Sequence, residues 1–253
     1  MKKLSIFLVI LCLFTLTGCG TKTDAEKFKE EYEALNGEKN SSGKKYKDLS
    51  ISADNPIKYS NYDEVLDVIE NGTGIIYFGY PECPWCRTAI TVLFESARDY
   101  DIDTIYYMNL KDERDYLEVK NDKIVYKKDE EGNKLKGSKG YFKLLDTLDE
   151  ELDDYKLESN GKTYDTGKKR IYVPLIVFVN NGKIVGTHTS TVDSQESGYD
   201  ELTSDEYDEL NGIYANYIKE LVNTYCDEAC WLFLSLCYII WIRNIFLINL
   251  GGI

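Results

Sequence analysis

Apolar and polar positions divide the chain into an apolar start, a polar stretch, a patterned middle and an apolar end. In the middle, Asn61 and Glu64 have the spacing of a capping box ahead of Val65, Leu66, Val68 and Ile69, which predicts a helix ending at Asn71-Gly72. The run Gly74-Ile75-Ile76-Tyr77-Phe78-Gly79 reads as a strand, and after the turn Tyr80-Pro81-Glu82 the residues Ala89, Ile90, Leu93, Phe94 and Ala97 recur at helical spacing. Asp103 to Leu110 has the β-branched and aromatic content of a second core strand. Tyr172 to Val179 predicts a third, returned through Asn180-Asn181-Gly182 into Lys183 to Gly186. Leu210, Ile213, Tyr214, Tyr217, Ile218 and Leu221 mark the buried stripe of a last helix over Ser204 to Tyr225. This alternation is that of an α/β domain with a central sheet flanked by helices, spanning residues 56–225.

Residues 111–170 interrupt that rhythm as an insertion before the third strand. They predict a hairpin at Lys123 to Lys128 with Glu130-Glu131-Gly132-Asn133 as its turn. An acidic amphipathic helix from Tyr141 to Tyr155 follows, its apolar face made by Leu144, Leu145, Leu148 and Leu152. The segment either extends the core or caps a groove beside Cys83.

The two ends carry different signals. Lys2 and Lys3, an apolar run too short to span a bilayer, and Leu16-Thr17-Gly18-Cys19 describe a secretory leader over 1–18, and those last four residues resemble a bacterial lipobox. On that reading Cys19 carries lipid. Residues 19–55 are dense in Lys, Glu, Asn, Ser and Gly and predict a solvated tether, with helical potential at Glu26 to Leu35 and folding from Pro56 onward. Residues 226–253 hold Cys226, Cys230 and the apolar run Trp231 to Leu250, broken by Arg243. That tail reads as a second membrane anchor, an irregular extension or a packed hydrophobic segment. A net charge of −14 and the lack of a phosphate-binding glycine loop argue against nucleic acid and nucleotides as partners.

The chemistry concentrates at Cys83-Pro84-Trp85-Cys86, where the first strand meets its helix. A helix start offers unpaired N–H groups and a partial positive charge that stabilise a thiolate, and proline is tolerated in a first turn. Cys83 and Cys86 are therefore the candidate redox pair. Cys226 and Cys230 could close a second disulfide or relay electrons, and two cysteine pairs could instead hold zinc. The strand ahead of the first pair, Pro84 and Trp85 within it and Val173-Pro174 downstream resemble a redox family rather than a zinc module, so neither metal nor cofactor is expected. The single histidine, His188, reads as a strand-end residue.

Strand, Cys-x-x-Cys, helix and, further on, Val173-Pro174 opening a strand and hairpin resemble the thioredoxin superfamily. The resemblance implies a thioredoxin-like fold, a cis peptide bond at Val173-Pro174 beside the dithiol, and substrate contacts at Pro84, Trp85, Val173 and Pro174. It implies thiol-disulfide exchange led by Cys83 and resolved by Cys86. Thioredoxins carry a buried acid six places before the first cysteine, where this chain has Tyr77; Glu82 is the available substitute. The Tyr-Phe-Gly strand and Cys-Pro-aromatic-Cys in a lipidated chain are similar to thioredoxin-like bacteriocin transport accessory proteins. That implies a membrane-anchored oxidoreductase at the outer face of a bacterial membrane, with exported cysteine-containing polypeptides and a redox protein as partners. A non-catalytic module that holds an extended peptide beside Val173-Pro174 is the alternative.

Overall fold

The computed structural model describes residues 21–222. Cys19, Cys226, Cys230, the leader and the apolar tail lie outside them. In chain order come α1 (Asp24–Glu33), β1 (Ile57–Tyr59), α2 (Tyr62–Asn71), β2 (Gly74–Gly79), α3 (Pro84–Asp99) and β3 (Ile105–Asn109). Next are the hairpin β4 (Leu117–Lys120) and β5 (Lys123–Tyr126), α4 (Lys139–Thr147), and the hairpin β6 (Asp153–Ser159) and β7 (Lys162–Arg170). The series ends with β8 (Leu175–Asn180), β9 (Lys183–Thr189) and α5 over residues 204–222.

Five strands form one mixed sheet in the order β1-β3-β2-β8-β9. β3 runs parallel to both β1 and β2, whereas β8 is antiparallel to β2 and to β9. The strand period of two sends Ile75, Tyr77, Ile105, Tyr107, Ile176 and Phe178 into one core cluster. Ile76, Phe78, Met108, Leu175, Val177 and Val179 go into the other. α2 and α4 cover the second face with Val65, Leu66, Ile69, Leu144 and Leu145, while α3 and α5 cover the first with Ile90, Leu93, Leu210, Tyr214 and Ile218. The expected capping box opens α2: the Glu64 N–H donates to Asn61 and the Glu64 carboxylate accepts from the Asn61 N–H. The β8–β9 turn sits at Asn181-Gly182, with φ of 49° and 70°, the mirror-image geometry that matches the twist of a hairpin.

Three expectations are corrected. Residues 24–51 do not hang free as a solvated tether: Phe28 and Tyr32 on α1 are fully buried, and Leu49 and Ile51 join the same cluster. Glu26, Lys27, Glu30 and Glu31 of α1 are exposed, Asp24, Lys29 and Glu33 bond the backbone of Tyr59 and Ile51, and its few apolar residues find the aromatic side of the sheet; composition alone hides so narrow a stripe. The helix expected over Tyr141 to Tyr155 stops at Thr147, and Tyr155 belongs to β6. Asp149-Glu150-Glu151 there form a separate 3-10 turn, since acids oppose the dipole at a helix C-terminus, and β7 offers the next residues a pairing partner. The strand at Lys123 pairs backward onto β4 through Asn121-Asp122. The turn at 129–133 closes only an isolated bridge between Lys128 and Lys134.

Arg87 explains why the early segment stays in place. Its fully buried guanidinium donates to the carbonyls of Tyr32 at 2.7 Å and Lys47 at 2.6 Å, and to Asn36 Oδ1 at 3.0 Å. One side chain of α3 thus ties together the carbonyl at the end of α1 and the loop carbonyl of Lys47.

Candidate functional site

β2 ends at Gly79, the chain turns, and Cys83 becomes the N-cap of α3 with Pro84 in the first helical turn. The Cys86 N–H donates to Cys83 Sγ at 3.2 Å, and the Cys83 thiol lies 3.5 Å from the Val173 carbonyl, to which it donates. The Val173-Pro174 bond is cis. Cys83, Cys86, Val173 and Pro174, which are 90 residues apart at the Cys83–Val173 contact, thus converge at one end of the sheet. Both cysteines are free thiols; Cys83 is 6 % exposed and Cys86 fully buried, so Cys83 is the sulfur a partner reaches first.

The surroundings separate the two sulfurs electrostatically. Burial pushes the Cys83 thiol up, but hydrogen bonds from the side chain and N–H of Cys86, the charge of Arg114 and the Trp85 N–H outweigh it and hold it below the ordinary thiol value. Burial, reinforced by the hydrogen bond to Cys83 and by its charge, drives Cys86 well above that value. Cys83 is thus the more readily ionised of the two sulfurs and Cys86 the less.

Trp85 stands half-buried beside the pair, and the loop carrying Gly198 crosses it closely: a Cβ at Gly198 would lie 2.8 Å from the indole. Any larger residue would push the loop off this ring. Below Cys86 lies Tyr77, whose hydroxyl is 3.0 Å from that of Tyr32 and 3.5 Å from the Cys86 carbonyl. Burial, with the charges of Cys86 and Tyr107, holds Tyr77 far above the ordinary phenol range, so it is a neutral floor and no base. Glu82 pairs with Lys111 at 2.7 Å. His188 sits near the end of β9, its Nε2 bonded to the Thr191 carbonyl at 2.8 Å and its ring edge-on to Tyr214.

The residue that the sequence did not single out is Arg114. It is 6 % exposed, donates from Nη2 to Tyr80 at 3.0 Å and Tyr116 at 3.3 Å, and from Nη1 to the Ile171 carbonyl at 3.3 Å. An arginine in a polar stretch gives no local signal that it will be buried; only the tyrosines that enclose it do so.

Among the described residues, no group of three or more His, Cys, Asp or Glu side chains could hold a metal, and no helix is long and apolar enough to cross a membrane. Compared with known proteins, the chain matches no family model and has no significant match to a curated protein.

Proposed function

We propose that the protein is a thiol-disulfide oxidoreductase with a thioredoxin-like fold, held at the outer face of a bacterial membrane by lipid on Cys19 and acting on exported cysteine-containing polypeptides. The observation that carries this reading is the Cys83 sulfur itself. It accepts the Cys86 N–H at a helix start and touches the carbonyl that precedes a cis-proline. The mixed sheet and the hairpin after that proline support the same family likeness.

The Cys83 thiolate attacks one sulfur of a substrate disulfide, forming a mixed disulfide while the other substrate sulfur leaves as a thiolate. Cys86 then gives up its proton and attacks Cys83 Sγ. The Cys83–Cys86 bond forms, the second substrate thiolate departs, and two electrons have passed to the substrate. Run backward, the same steps oxidise a substrate dithiol. The N–H and carbonyl of Val173 offer an edge where an extended peptide could align beside the sulfur, with Trp85 and Pro84 flanking it.

The test is exchange with insulin as a model disulfide. Cys83→Ala is expected to abolish exchange, and Cys86→Ala to accumulate mixed disulfides visible on non-reducing gels. Full activity in Cys83→Ala would overturn the proposal. Unchanged co-purification of a partner with the Cys83→Ala/Cys86→Ala protein would favour a non-catalytic peptide-holding module instead.

A further inference from the structure

Arg114 presents an unbalanced charge beside the dithiol. It is more than nine-tenths buried, its Nε has no hydrogen-bond partner, and no carboxylate among the described residues lies within ion-pair distance of it. The acids near it in the chain are engaged elsewhere. Asp115 pairs with Lys168 at 3.1 Å and with Arg170 at 3.5 Å, Glu113 accepts from the Tyr62 hydroxyl at 3.0 Å, and Glu82 is held by Lys111. Neutral groups enclose the guanidinium instead: the rings of Tyr80 and Tyr116 lie 5.2 and 5.5 Å from it.

A buried cation without a counter-ion is costly, and the cost falls when an anion forms nearby. Two contacts tie Arg114 to the surroundings of Cys83: Tyr80, which it grips, is the residue whose carbonyl accepts the Cys83 N–H at 3.2 Å, and Ile171, whose carbonyl it also bonds, lies two residues before the Val173 carbonyl that Cys83 touches. Its positive charge favours an anion at Cys83. The other titratable groups facing Cys83 are Cys86, Tyr77 and Tyr80, each of which burial keeps neutral, and Glu82, next to it in the chain, has its charge offset by Lys111 at 2.7 Å.

We propose that Arg114 is a positioning residue that holds the Cys83 sulfur as an anion, and that the protein therefore works as an oxidant, donating its disulfide to dithiol polypeptides. This rests on the oxidoreductase reading above and adds its direction. An anionic Cys83 stabilises the dithiol form and makes Cys83 a good leaving group, both of which favour loss of the disulfide. In the step, a substrate thiolate attacks Cys83 Sγ and Cys86 leaves, taking up a proton. A second substrate thiolate then attacks its partner sulfur, a substrate disulfide forms, and Cys83 leaves as the thiolate. Two electrons reach the protein, and a low-molecular-weight disulfide such as oxidised glutathione restores it.

The test equilibrates the full chain in detergent with glutathione buffers. The peptide carrying Cys83 and Cys86 is read by alkylation and mass spectrometry, alongside the pH dependence of Cys83 alkylation. The expected wild-type result is a pair that glutathione readily reduces. Arg114→Met is expected to shift the equilibrium about tenfold toward the disulfide, about 30 mV, and to move the alkylation midpoint to higher pH; Arg114→Lys restores most of both. A reversible disulfide that glutathione cannot reduce would overturn the direction, even if Arg114→Met failed to fold. A folded Arg114→Met with both readouts unchanged would overturn the role of Arg114. Absence of any reversible disulfide would overturn the oxidoreductase reading itself.

Discussion

The two faces of the sheet are built from the same strands yet differ in kind. One face packs mostly aliphatic side chains from α2 and α4 against Ile76, Val177 and Val179, with Phe78 and Tyr141 among them. The other carries Phe28, Tyr32, Tyr77, Tyr107 and Tyr214, with Phe28 stacked on Tyr32 at 4.2 Å and Tyr77 on Tyr107 at 5.5 Å. The dithiol lies on this aromatic side. The aliphatic side has few polar atoms to satisfy, the Tyr141 and Tyr62 hydroxyls being bonded close by, whereas the aromatic side leaves several hydroxyls and a guanidinium to be satisfied. Tyr32 answers Tyr77, and Arg87 answers the backbone of residues 32–47. The face that surrounds the sulfurs therefore depends on distant pieces of chain, while the opposite face depends chiefly on two regular helices, with Leu110, Leu152 and Ile171 joining them.

The sharpest way to break this contrast is to remove residues 21–51. If they formed a tether, their loss would leave the domain folded; the structure instead predicts an unfolded or aggregating protein, visible as loss of the cooperative thermal transition, because the aromatic side would be exposed. Single truncations come next. Phe28→Ala is expected to cost about 3–5 kcal/mol and Leu144→Ala about 2–5 kcal/mol in denaturant midpoints. Only the first is expected to quicken alkylation of Cys86, since Leu144 lies across the sheet from it; equal effects on Cys86 would erase the distinction between the faces.

The smallest effect concerns His188, which packs on the aromatic face. Burial lowers its pKa from the ordinary histidine value, against the pull of the Thr191 carbonyl. The unfolded chain then binds the proton more readily than the folded one. Stability from this group is complete above the unfolded value, about 6.5, and is lost as pH falls from there toward the folded value. His188→Gln is expected to flatten the slope of stability against pH in that window, measured by urea unfolding at a series of pH values.

Much of the aliphatic face was legible in order along the chain. The Asn61–Glu64 capping box, the β2 run and the Leu144, Leu145 and Leu148 stripe are local patterns, and the residues that carry them are buried as those patterns require. The Cys83–Cys86 pair was legible for a related reason, since a helix start and a two-residue spacing are both local. Phe28 and Tyr32 were hidden because four residues apart in a charged helix they make a stripe too narrow to outweigh its surroundings. Arg87 and Arg114 were hidden because burial of a guanidinium is decided by what encloses it.

The sequence by itself determined the helices α2 and α3, the strands β2, β3, β8 and β9, which residues could be the paired thiols, and that a Val-Pro step opens a later strand. Periodicity, caps and turn residues act over a few positions, so they can be read without knowing the fold. Only the tertiary structure brought Val173 to Cys83, placed Tyr77 beneath Cys86, wrapped residues 24–51 over the aromatic face and set Arg114, without a carboxylate partner, against Tyr80 of the dithiol turn. Charge and desolvation act through space, and the partners that set them come from parts of the chain that have no local reason to meet.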